Sequence, residues 1–191
     1  VNACRKFVTL NSYRYRLCRV TLTDERENDM NAKQVASTII LSLAAGVAMA
    51  NDPKAAIDAL DTKLAKLGAP KVEGMAKVGE KELPGLFYGS RRINSNYDIV
   101  DDIKKTTGAA ATVFVKDGDE FVRVSTNVLT PAGARGIATS LARAKAYEAL
   151  SAGKSFCGVV DVLGTQFDAC YNPIKDGTGK VIGSTYVGFK K

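Results

Sequence analysis

The side chains best suited to chemistry in this 191-residue chain lie in its second half. Arg123 and Ser125 alternate with Val122, Val124 and Thr126, and Asp161 and Asp168 sit in two further alternating runs. An Arg can grip a carboxylate through a two-pronged pair of hydrogen bonds, and an Asp can hold an amine. Brought to one side of a sheet, the four would floor a small-molecule pocket. The same alternation also suits a plain solvated face. Catalysis has less to draw on. The chain has no His, which removes His-based triads, proton relays and His metal ligands. Ser125 lies in no G-x-S-x-G elbow and has no positioned base. Asp161 and Asp168 could serve as paired carboxylates only in principle. No phosphate-cradling or dinucleotide fingerprint occurs. The pattern points to binding rather than catalysis, with no cofactor and no metal.

Four cysteines are present. Cys4 and Cys18 fall in a segment unlike the rest; Cys157 and Cys170 flank the turn Leu163-Gly164. With that turn fixed, Val162 faces Thr165, Val160 faces Phe167, and Cys157 faces Cys170. The two cysteines then share a non-hydrogen-bonded rung, where Cα atoms approach to about 4.5 Å, within disulfide range. Two Cys without His are a poor metal set, so a structural disulfide is expected. The register also sorts the hairpin. Phe156, Val160, Val162, Phe167, Ala169 and Tyr171 share a face expected to pack on helices. Cys157, Val159, Asp161, Gln166, Asp168 and Cys170 share the other, the expected pocket side with Arg123 and Ser125.

The elements that must hold these residues read as follows. Asp52-Pro53 starts a helix, with Ile57, Leu60, Leu64 and Leu67 on one stripe and Gly68 as its stop. Residues 69–95, rich in Gly and Pro, read as a long irregular connection able to cover a pocket. A short helix is expected at Tyr97–Thr107 and an Ala-rich one at Ile137–Ser151. Strands are expected at Ala111–Lys116, Phe121–Val128, Ser155–Val162, Thr165–Ile174 and Lys180–Phe189. Five strands with tight turns give an α+β domain built on an antiparallel sheet with helices on one face.

The first fifty residues read differently. Met30, Lys33, an uncharged Ala-rich run from Val35 to Val47 and Ala48-Met49-Ala50 follow the order of a secretory signal cleaved after Ala50. The alternative is an uncleaved membrane anchor. Residues 1–29 then read as a non-native upstream extension, 30–50 as the signal, and 51–191 as one domain. The formal charge of +7 falls to +4 over residues 51–191. The cations are scattered, with only Arg91-Arg92, Lys104-Lys105 and Lys190-Lys191 as pairs, so nucleic acid is not the expected partner.

Several stretches together resemble the Cache family of extracytoplasmic sensor domains, of the Cache 3/Cache 2 fusion type. They are residues 83–89 (LPGLFYG), 96–103 (NYDIVDDI) with Thr107-Gly108, and 119–128 (DEFVRVSTNV). The strongest are 158–164 (GVVDVLG) and 171–176 (YNPIKD), followed by 179–183 (GKVIG) and 186–188 (YVG). The resemblance implies a PAS-like fold: a five- to six-stranded antiparallel sheet, a long N-terminal helix behind it, and a pocket on the opposite face. In this chain that helix reads as short. It also implies a small organic acid or amino acid ligand, with Arg123 on the carboxylate, Asp161 or Asp168 on an amine or hydroxyl, and Tyr88 closing from the 69–95 connection. Such domains work with chemotaxis receptors or sensor kinases. With no second membrane helix in sight, this chain resembles a free-standing periplasmic or secreted member acting through a membrane partner. The competing expectation is a ligand-free interaction protein that modulates a receptor or transporter.

Overall fold

The computed structural model describes residues 8–10, 13–15 and 51–191. The expected upstream extension and signal thus lie outside the described residues, apart from a short antiparallel pair, β1 (Val8–Leu10) and β2 (Tyr13–Tyr15). The remainder begins with α1 (Pro53–Ala65). Asp52 caps it by accepting the Lys54 amide at 2.8 Å, with Pro53 in the first turn where its missing N–H costs nothing. Ile57, Leu60 and Leu64 are fully buried, as their spacing requires. The helix is thirteen residues long, and no longer one stands before the sheet among the described residues.

The stretch read as an irregular connection is instead a three-stranded sheet: β3 (Pro70–Val78), β4 (Lys81–Tyr88) and β5 (Arg91–Arg92). Its Gly and Pro residues suggested breaks, but the tertiary structure accommodates each. Beyond the short β5, the Asn94 side chain stands in for a strand. Its Oδ1 accepts the Leu86 amide at 2.7 Å and its Nδ2 donates to the Pro84 carbonyl at 3.1 Å. Asn94 is 2% exposed, so this satisfies main-chain groups that burial would otherwise strand.

The helix α2 (Asp98–Thr107) follows, with Asp98 and Asp101 in its first turn, Lys104 and Lys105 in its last, and Gly108 closing it at φ 79°. The main sheet comprises β6 (Ala110–Asp117), β7 (Glu120–Thr126), β8 (Phe156–Val162), β9 (Thr165–Lys175) and β10 (Val181–Lys190). Its order is β7-β6-β10-β9-β8, antiparallel throughout. The fold class is α+β, as expected.

Helices cover both faces rather than one. The α1/α2 face buries Val113, Val115, Val122, Val124, Cys170 and Val187 against Ile57, Leu60 and Ile103. The other face buries Phe114, Phe121, Phe167, Tyr171 and Tyr186 against α3 (Lys145–Ser151), through Ala146 and Leu150. The expected helix over residues 137–151 keeps only its second half. After a turn in which Ala138 has a φ of 58°, residues 139–141 run along the free edge of β7: Arg123 N–H donates to the Thr139 carbonyl, and Ala138 N–H to the Arg123 carbonyl. Helix propensity in this Ala-rich stretch yields to an edge of unpaired backbone groups.

The β8–β9 hairpin has the expected register. Its two turn residues, Leu163 and Gly164, both have positive φ (53° and 83°), the backbone of a two-residue hairpin turn. Cys157 pairs with Cys170 and the two form a disulfide, with Cα atoms 4.1 Å apart. Replacing both cysteines by Ala should lower stability by about 2 kcal/mol. That is less than the nominal ~3 kcal/mol for a loop of this size, because the hairpin already holds its ends together. Urea melts of the parent with and without reductant, beside the double variant, check this; a reductant effect retained in the variant would count against it.

Candidate functional site

Arg123 is the most unusual side chain of the main sheet. It is 4% exposed, on the α3 face, with its guanidinium carbon 5.1 Å from the centre of the Phe114 ring. Its Nη1 donates to Thr139 Oγ1 at 2.8 Å and to the Ser140 carbonyl at 3.4 Å, both on the strap along β7. Its Nε is buried without a partner, as is the hydroxyl of Tyr186. Among the described residues no carboxylate pairs with it. Burial depresses the guanidinium's pKa, and the phenols of Tyr171 and Tyr186 lie near enough to offset part of that. Both phenols are themselves pushed well above the usual range by burial. The result is a buried cation in a box of Phe114, Tyr171 and Tyr186, without an anion.

The other expected site residues lie elsewhere, and the pocket floor holding all of them does not form. A β-bulge in β7 is the first reason. Phe114 pairs with Arg123 but Val113 pairs with Ser125, so one extra residue resets the alternation between them. Ser125 therefore sits on the α1/α2 face, 1% exposed, its hydroxyl donating to the Asn96 carbonyl at 2.5 Å. The second reason is that the hairpin's faces are assigned the other way round. Asp168 shares its face with Cys170, the face on which α1 packs, whereas Arg123 shares its face with Phe114 and Tyr171. Asp161 and Asp168 are exposed near the β8–β9 turn, and an Asp161 carboxylate oxygen accepts the Gly164 amide at 3.0 Å. Tyr88 belongs to β4 and is buried in the α1/α2 core, far in the topology from Arg123.

Phe114, Tyr171, Tyr186 and Thr139 surround Arg123 without carrying a sequence motif that marks them as site residues. Tyr171 faces Tyr186 across β9 and β10 only because a bulge between Val181 and Gly183 shifts the register by one residue, which counting from the turn does not reveal. Thr139 carried no signal either, since it reads as helix.

Two cavities frame the sheet. One, about 400 Å³, opens on the Arg123 face at the end of the sheet, lined by Ala110, Val162, Phe167 and Gly188, with Lys104 and Lys190 at its rim. The Tyr186 hydroxyl points toward it: a Cβ on Gly188 would meet that oxygen at 2.4 Å. The other, about 450 Å³, lies on the α1 side and is lined by Asp61 and Tyr88.

The domain model of the Cache 3/Cache 2 fusion family matches residues 31–191. The chain belongs to that family. A search among curated proteins finds no match to it. Cache domains are extracellular sensor domains that bind small molecules and work with membrane receptors, rather than enzymes. Within this Cache domain no described helix is long and apolar enough to cross a membrane, and no described group of three or more His, Cys, Asp or Glu could hold a metal.

Asp61 adds a titrating group that this Cache domain keeps half-buried. Burial raises its carboxyl above the ordinary value, more than hydrogen bonds from Asn172 and Thr185 lower it. The folded chain thus holds this proton more tightly than the unfolded one. Its stabilising contribution is fully present below the unfolded pKa and is lost as pH rises through the folded one. In urea melts between about pH 3.5 and 7, the parent should lose stability relative to Asp61→Asn as the pH rises. A constant difference across that window would contradict the assignment.

Proposed function

We propose that this Cache domain is a periplasmic or secreted sensor for a small organic carboxylate, exported by a signal cleaved after Ala50 and acting through a membrane partner such as a receptor or sensor kinase. The observation that carries the reading is Arg123: a nearly fully buried guanidinium whose Nε has no partner and which no carboxylate pairs with among the described residues. A buried charge without a counter-charge costs several kcal/mol, and a carboxylate ligand offsets that cost with charge-assisted hydrogen bonds. The phenol of Tyr186, also unpartnered, is a second donor for the same anion. Because Asp161 and Asp168 lie on the other face, a carboxylate without an amine suits the site better than an amino acid does.

Thermal-shift and calorimetric titration with acetate, lactate, pyruvate, succinate, glycine and alanine test the reading. One or more of the amine-free acids should raise the melting temperature and outbind the amino acids. The second reading, a ligand-free interaction module, draws on the open edge of β3, where Met75 is 62% exposed. It is favoured if none of these compounds binds.

A further inference from the structure

The opposite side of the sheet holds a carboxylate in the complementary predicament. Asp61, midway along α1, accepts hydrogen bonds from Thr185 Oγ1 at 2.7 Å and Asn172 Nδ2 at 2.6 Å. No Lys or Arg pairs with it among the described residues. It faces the cavity of about 450 Å³, whose walls include Tyr88, Gly68 and Pro173.

Several features give this cavity one sign. Asp61 supplies a carboxylate, with Asp58 adding to the negative field around it and Lys54 opposing it from a distance. Ala65 and Gly68 bring the C-terminal end of α1 to its wall, where the last helical carbonyls add partial negative charge. Tyr88 contributes an aromatic face and a phenol close to the Asp61 carboxylate. Lys175 also lines the wall, but its ammonium turns away: Nζ lies 3.4 Å from where a Cβ on Gly153 would stand, beyond α3. A clamp that merely pinned α1 to β9 and β10 would need hydrogen-bond acceptors, not a charge. A half-buried carboxylate with no ion-pair partner among the described residues is an arrangement that a cationic occupant relieves.

We propose that this cavity binds a small primary ammonium compound, with Asp61 as its counter-ion and Tyr88 against its alkyl carbon atoms. The site is separate from that of Arg123, on the other face of the sheet, and does not depend on the carboxylate reading. Its occupant would touch α1, β4 and β9 together and so tighten the helix on the sheet.

Ethanolammonium chloride titrated into the full chain, against sodium chloride at equal ionic strength, is the test. It should raise the melting temperature and shift the backbone amide signals of residues 61, 68, 69, 174 and 175. Tetramethylammonium, which has no N–H to donate, should bind at least tenfold more weakly. Asp61→Asn keeps an acceptor for Thr185 and removes the charge; it should weaken ethanolammonium binding at least tenfold, while Arg123→Met leaves it unchanged. Equal affinity in Asp61→Asn and parent, or equal shifts from sodium chloride, overturns the proposal. If Asp61→Asn does not fold, the amide map of the parent decides: shifts at those five residues uphold the site, and shifts elsewhere or none overturn it.

Discussion

Arg123→Met should yield a domain more stable than the parent that no longer binds carboxylates. The guanidinium is 4% exposed and has no acidic partner among the described residues, so in the ligand-free chain it bears a desolvation cost that no ion pair repays. Methionine fills a similar volume with apolar atoms and keeps contact with Phe114, Tyr171 and Tyr186. Two hydrogen bonds are lost, but Thr139 Oγ1 still donates to the Gly136 carbonyl at 2.7 Å, so the strap is not left wholly unsatisfied. The net gain should be about 1–2 kcal/mol in urea melts. Carboxylate affinity should fall more than about a hundredfold, the worth of two charge-assisted hydrogen bonds at roughly 1.5–3 kcal/mol each. Arg123→Lys should fall between, keeping the charge but not the fork. A destabilised Arg123→Met that binds carboxylates as the parent does would reduce Arg123 to a packing residue.

Gly89→Ala should be among the most damaging single-atom-group additions in the domain. Gly89 turns β4 into β5 at φ 59°, where a Cβ costs about 1–2 kcal/mol in any context. Here that Cβ would also stand 2.1 Å from the Leu67 carbonyl oxygen, and the Gly68 backbone is equally close packed: a Cβ on Gly68 would meet the Gly89 Cα at 2.8 Å. The obstruction is main chain on both sides, so no rotamer relieves it. The end of α1 must move off the sheet, disturbing Leu64 and Tyr88 in the core. A loss of about 3 kcal/mol or more is expected. Gly118→Ala isolates the conformational part, because Gly118 has a similar φ of 54° and nothing within 4 Å of its Cβ position. It should cost only about 1 kcal/mol. Equal losses in the two variants would remove the close approach as the cause.

How much of this could be read from sequence depended on whether the signal was local. The β8–β9 hairpin was fully legible, because a two-residue turn of positive-φ residues fixes the register and the register fixes the cysteine pair. Likewise α1 carried its own cap, Pro and apolar stripe. The 69–95 segment was not legible. Its strands rest on the Asn94 side chain and on an approach so close that a Cβ on Gly85 would meet the Glu73 carbonyl at 2.5 Å. The same holds for residues 139–141, whose Ala-rich local preference is overridden by the free edge of β7.

The candidate site shows the division most sharply. Sequence singled out Arg123 as a carboxylate-binding side chain, and the structure gives that residue an aromatic box and no anion. Strand parity then placed Ser125, Asp161 and Asp168 beside it, and one bulge and one sheet face undid the grouping. Alternation says which residues share a face along an uninterrupted strand; it cannot say where an extra residue resets the count, nor which face a distant helix will cover. The sequence alone therefore determined the family, the fold class and the hairpin with its disulfide. Only the tertiary structure decided that Arg123 and Asp61 occupy opposite faces of one sheet, neither in an ion pair among the described residues, because burial and pairing are properties of contacts between segments far apart in the chain.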